Sequence, residues 1–151
     1  MASSRLTAPA YPELYATAFG FPAIDNHAHP LLMAEQRDSV PFEGLISEAL
    51  GDALVKDAVQ TLACYRATRQ LAELFGMKNA SWTDIKLARS QIDYLDLCRR
   101  CIEPTRIQCI LLDDGLDNNS IAEPLAWHDQ FTHDYTRQIV RIEGVAEVTR
   151  L

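Results

Sequence analysis

Two histidines one residue apart, His27 and His29, close the apolar run Phe21-Pro22-Ala23-Ile24-Asp25-Asn26. Side chains at i and i+2 of a strand point to the same face, so a strand here would aim both imidazoles at one point. Two imidazoles on one point are a start on a divalent-metal site. Pro30 ends the strand because it has no backbone N–H to donate. A His-X-His also arises in purely structural settings; the position at a strand's C-terminal end, after Asp-Asn, directs the reading to His27 and His29 as metal ligands.

Three further groups bear on chemistry. Asp113-Asp114-Gly115 follows the run Ile107-Gln108-Cys109-Ile110-Leu111-Leu112. Acids at the C-terminal end of a parallel strand occupy the place where α/β proteins carry functional groups, while Asp-Asp-Gly equally makes a turn. Cys98-Arg99-Arg100-Cys101 has CxxC spacing, but it falls late in a helix, without a preceding strand or a second CxxC. With Cys64 and Cys109, these cysteines read as buried free thiols rather than a disulfide framework. His128 and His133 stand at i and i+5, which is not a helical pairing distance, and read as surface residues.

The elements that must position these groups follow from periodicity and breakers. Residues 1–10 are small and polar and read as a flexible N-terminus. Tyr11 to Phe19 forms a short helix stopped by Gly20 and Pro22, and the first strand runs from Ala23 to Asn26. Residues 30–43 form a long loop directly after the histidines, the position of a lid or substrate-contacting segment. From Gly44 to Phe75, Leu45, Ala49, Ala53, Leu54, Ala58, Leu62, Tyr65, Leu71 and Leu74 mark a buried helical stripe, with Gly51 as a break and Gly76 as a C-cap. Ser81 and Asp84 make a capping box for a helix that continues to Pro104. Ile107 to Leu112 is a second strand buried on both faces, as in a helix-covered parallel sheet. Leu116 to Pro124 is a polar loop, Gln138 to Glu143 a third strand, and Gly144 to Leu151 starts a helix.

Composition bounds the classes. The 151 residues, 48% hydrophobic and 23% charged, suit one globular domain with a real core. A formal net charge of -7 argues against nucleic acid or an anionic membrane as the main partner. The N-terminus lacks a signal-peptide core and no apolar run reaches membrane-spanning length, which makes a soluble, cytoplasmic protein the expectation.

Strand, helices, strand, helix, strand, helix is the rhythm of a parallel α/β structure. No Gly-rich phosphate loop favours an open dinucleotide-type sheet, and a (β/α)₈ barrel suits a His-X-His on the first strand. The segments Ile24-Asp25-Asn26-His27-Ala28-His29, Ile110-Leu111-Leu112-Asp113-Asp114-Gly115 and Ile139-Val140-Arg141-Ile142-Glu143 together resemble an amidohydrolase-related barrel. The resemblance is nearest to the FluG-type amidohydrolase domain, which precedes a glutamine-synthetase-like domain, and runs from Tyr11 to the end.

That resemblance implies a metal-dependent hydrolase of a C–N or related bond in a small-molecule substrate. Its divalent metal, commonly zinc, would be held in part by His27 and His29. The family's later ligands and catalytic Asp come from strands beyond the third, and no spacing argument selects His128, Asp113 or Asp114 in their place. A (β/α)₈ barrel takes about 250 residues. The expectation is therefore an α/β, helix-rich N-terminal fragment of a TIM barrel, residues 11–151 carrying the first three β/α units and inactive alone. Exposed strand edges would invite self-association. The competing expectation is a non-catalytic α/β protein-interaction module.

Overall fold

The computed structural model describes residues 10–115 and 121–148. The expected flexible N-terminus (apart from Ala10), most of the 116–124 loop and the end of the last helix lie outside the described residues.

Strands β1 (Ala23–Ala28), β2 (Ile107–Leu112) and β3 (Arg137–Gln138) form one parallel sheet in the order β1-β2-β3. β2 is central, paired with β1 on one side and β3 on the other. None of its residues is exposed, which matches its almost unbroken apolar sequence. Parallel neighbours need long crossovers: α2 (Leu62–Leu74), α3 (Trp82–Gln91) and α4 (Tyr94–Ile102) lie between β1 and β2, and a 3₁₀ stretch, Leu125–Phe131, lies between β2 and β3, while α1 (Pro12–Gly20) precedes β1. α5 (Ile142–Val148) follows β3. Ile110 and Leu112 of β2, Ile85 of α3, Cys98 of α4, and Cys64 and Ala72 of α2 are among the buried residues.

The pairing of β1 with β2 is not uniform. Asp25 faces Ile110 and Ala28 faces Leu112, so β1 carries one extra residue between these pairs, in the segment that holds Asn26 and His27. A bulge of this kind bends the strand and re-aims its side chains. The Asp25 carboxylate accepts from the His27 N–H at 3.3 Å, which ties the bulged segment locally.

Four expectations are corrected. The third strand stops at Gln138, and residues 142–143 already belong to α5. Ile139 N–H donates to Leu112 O, after which the Arg141 side chain turns back to the end of β2. The apolar alternation there does not mark burial, since Val140 and Ile142 are both exposed. Residues 44–75 are not a two-part α-helix: short 3₁₀ and π turns at Phe42–Leu45, Ala53–Asp57 and Ala58–Gln60 precede α2. Gly51 has φ +58°, a left-handed conformation that interrupts a helix, and Leu45, Leu62 and Tyr65 of the supposed stripe are exposed. The helix from Ser81 is two helices, because Asp93 accepts from the N–H groups of Leu95 and Asp96 and so caps a new one. The expected capping box at Ser81 and Asp84 is present. Finally, Cys64 and Cys98 are buried free thiols, but Cys101 is exposed and Cys109 partly so.

The long segment after the histidines is fastened along its length. Leu32 and Ala122 form an isolated antiparallel bridge, and the Tyr94 hydroxyl donates to Leu32 O. Arg37 donates to the carbonyls of Ser90 and Ile92, while Arg89 donates to Asp38 at 2.6 Å and to Arg37 O. Arg89 also lies 4.7 Å from the Phe42 ring centre, and Phe42 stacks on Trp82. Buried Glu43 accepts from the Trp82 indole at 3.0 Å and from the Lys86 ammonium at 2.8 Å. Burial pushes the Glu43 carboxyl up, and the bonds from Lys86, its own backbone N–H and Trp82 together outweigh it and bring it below its ordinary value. This is a strap docked on α3 and α4.

Candidate functional site

Both predicted ligands lie at the C-terminal end of β1. His27 sits in the bulged part of the strand and His29 just past it, with ring centres 5.4 Å apart at 70°. The bulge breaks simple strand alternation, yet the two rings still meet edge to face. His29 Nδ1 is 2.9 Å from the backbone oxygen of Asp113. A carbonyl only accepts, so Nδ1 carries the proton and the Nε2 lone pair is left available. Metal-ligating histidines are fixed in this way, by donating their other ring N–H to a carbonyl or carboxylate.

Asp113 joins the two strands' contributions. The parallel pairing of β1 and β2 continues as a hydrogen bond from Asp113 N–H to Ala28 O at 2.8 Å, which puts the residue beside the histidines. The residue is 3% exposed, and its carboxylate is gripped by Arg141, with Nε on Oδ1 at 2.8 Å and Nη2 on Oδ2 at 2.7 Å. Gly115 N–H donates to Oδ1 at 2.9 Å, and Gly115 takes φ +79°, so the Asp-Asp-Gly turn is real. Asp113 thus serves the turn and the site together. His27 Nε2 stands 3.7 Å from Oδ2. Asp114 accepts from Gln138 on β3. Arg141 was not singled out by sequence; a cation following an acid-ended strand by one β/α step gives no local signal.

The Arg141 guanidinium, helped by Gly115 N–H, holds the Asp113 carboxyl down at about 2. Since the folded value lies below the ordinary 3.8, this group stabilises the fold fully above about pH 4 and loses that contribution as pH falls towards about 2. Urea unfolding measured across this range in the parent and in Asp113→Asn should show a steeper acid loss in the parent. Parallel curves would contradict the assignment.

His128 corrects the surface reading. It is 1% exposed. Leu31 N–H donates to its Nε2 at 3.0 Å, and its Nδ1–H faces Pro124 O at 3.1 Å and Leu125 O at 3.3 Å. Both nitrogens are used structurally, which removes His128 from the set of ligand candidates. His133 is exposed as expected.

Among the described residues, no three His, Cys, Asp or Glu side chains already converge as a metal site. The donors fit part of one: His29 is oriented, and His27, with a side chain 57% exposed, stands beside it. An open cavity of ≈ 730 Å³ is lined by α2 and the α2–α3 connection, including Tyr65, Arg69, Met77 and Lys78, and none of the residues just described lines it. Also among the described residues, no helix is long and apolar enough to cross a membrane.

No family model matches the chain, and no solved structure matches it. Among curated proteins, the chain is similar to Protein fluG of Emericella nidulans, with 45% identity over 131 residues. The match covers 83% of this chain and 15% of that protein, so the chain spans a small part of the relative's length.

Proposed function

From this homology to FluG, we propose that the chain is part of a metal-dependent hydrolase of the amidohydrolase kind, cutting a C–N or related bond. The observation that carries the reading is His29: its Nδ1–H is committed to the Asp113 carbonyl at 2.9 Å, and its Nε2 lone pair is free for a metal ion next to His27. His27 and His29 would hold a divalent ion, zinc by the family's usual choice, and that ion would supply hydroxide near neutral pH. The chain's own residues bind and orient: the Asp113 carbonyl fixes the His29 tautomer, and Arg141 fixes Asp113. The sheet order β1-β2-β3 fits the opening of a (β/α)₈ barrel, whose functional groups gather at the C-terminal ends of the strands. The later-strand ligands and the catalytic Asp of that family, and a following glutamine-synthetase-like domain, would belong to a longer chain.

Zinc binding by chelator competition tests this. His27→Ala/His29→Ala should lose the parent's zinc affinity by roughly ten-fold or more. Unchanged affinity in the double variant would refute the ligand assignment.

One observation favours a non-catalytic interaction module instead. Tyr11 and Phe21 at the two ends of α1, Leu14 and Phe19 within it, and Ile24 on the edge strand β1 are all exposed, and exposed apolar patches mark association surfaces. This reading predicts a monodisperse protein whose cooperative melt ignores chelator. Self-association through the β1 edge, or a melt lowered by chelator, favours the hydrolase reading.

A further inference from the structure

An ionised carboxylate offers about four lone-pair sites. Three on Asp113 are assigned: Oδ1 accepts from Arg141 Nε and Gly115 N–H, and Oδ2 accepts from Arg141 Nη2. The remaining one is on Oδ2, the oxygen that stands 3.7 Å from His27 Nε2. Two donor atoms each about 2.1 Å from one zinc ion, at a tetrahedral angle, stand about 3.4 Å apart, so this spacing is close to that of two ligands sharing a metal. The same residue's backbone carbonyl already orients His29. Two histidine nitrogens and one carboxylate oxygen are the protein ligands of a common catalytic zinc set, with the fourth position left to water.

Resting on the reading of His27 and His29 as metal ligands, we propose that Asp113 is the third protein ligand, through Oδ2, with Arg141 as the counter-cation that positions it. Arg141 and Gly115 N–H take three of the carboxylate's sites and leave one on Oδ2. Among the described residues the three side chains do not yet converge: His27 Nε2 and Oδ2 already stand near shared-ion spacing and Arg141 holds Asp113, so metal binding would have to draw the His29 ring towards that pair. Asp113 comes from β2 and Arg141 from the segment after β3, so three successive units of the chain would build one site. Asp114, bonded to Gln138 and partly exposed, has no such role.

The test compares zinc affinity, and the visible spectrum of bound Co²⁺, across variants of the 151-residue chain. Asp113→Asn should bind zinc roughly ten-fold or more weakly, with an altered Co²⁺ spectrum. Arg141→Met keeps the carboxylate, so at saturation it should give the parent's Co²⁺ spectrum even where its affinity falls with the loss of positioning. A merely structural Asp113–Arg141 pair would leave the Co²⁺ spectrum of Asp113→Asn at saturation the same as the parent's; that result, or parental zinc affinity in Asp113→Asn, overturns the proposal. If Asp113→Asn does not fold, Asp113→Glu decides, because moving the carboxylate should alter the Co²⁺ spectrum at saturation; a parental spectrum overturns the proposal. The histidine reading is scored separately, by the difference between the parent and His27→Ala/His29→Ala.

Discussion

Replacing His128 by alanine should cost about 3–5 kcal/mol of folding stability, read as a lowered urea midpoint. Two losses add. The ring is 1% exposed and packs edge-on to Trp127 at 5.3 Å, so its removal leaves a cavity. Truncation also strands a polar group that water does not reach easily: Leu31 N–H loses its acceptor, while the carbonyls of Pro124 and Leu125 lose the His128 N–H, Pro124 O keeping its bond from Trp127 N–H. A buried donor left without a partner costs about 1–3 kcal/mol by itself. His128→Phe separates the terms, because it restores most of the volume and none of the hydrogen bonds; it should recover part of the loss. A change below about 0.5 kcal/mol in His128→Ala would show that the strap's anchor is not where the hydrogen bonds place it. The effect should also reach the site, since Leu31 follows His29 by two residues.

The second large effect is expected at Leu112, the last residue of the central strand and 1% exposed. Leu112→Ala removes three carbons from a packed layer that cannot fully collapse, at a cost of about 3 kcal/mol in urea unfolding. Leu112 pairs with Ala28 on one side and Gln138 on the other, and its carbonyl accepts from Ile139 N–H. The cavity would therefore open directly beneath Asp113. Leu111→Ala, at a half-buried position on the opposite face of β2, should cost clearly less. Equal losses at the two positions would mean that both faces of β2 are packed alike.

These expectations differ in how far sequence could have anticipated them. Leu112 was legible: six residues of near-continuous apolar character name a central strand, and its end marks where acids face the site. The capping box at Ser81 was legible for a similar reason, since a cap is a contact among residues three apart. His128 was not. Its burial comes from Leu31, 97 positions away, and a histidine two-thirds along a mixed segment carries no mark of that partner. The break at Asp93 was missed because an apolar stripe continues across it, although an Asp ahead of a helical run is itself a cap signal. The end of β3 was missed because alternation suggested strand where the chain instead turns to bring Arg141 to Asp113.

The residue types of the site and their order along the chain were set locally. His27 and His29 stand at the end of one strand and Asp113 at the end of another, and parallel strands put like ends together. Tertiary structure decided what those groups can do. The bulge in β1 re-aims His27, the Asp113 carbonyl selects the His29 tautomer, and Arg141 occupies both carboxylate oxygens of Asp113. Each depends on a contact between residues 28 or 84 positions apart, or on a register between strands. Local periodicity records which face of an element seeks burial; it holds no information about which distant donor will meet which acceptor once those faces pack.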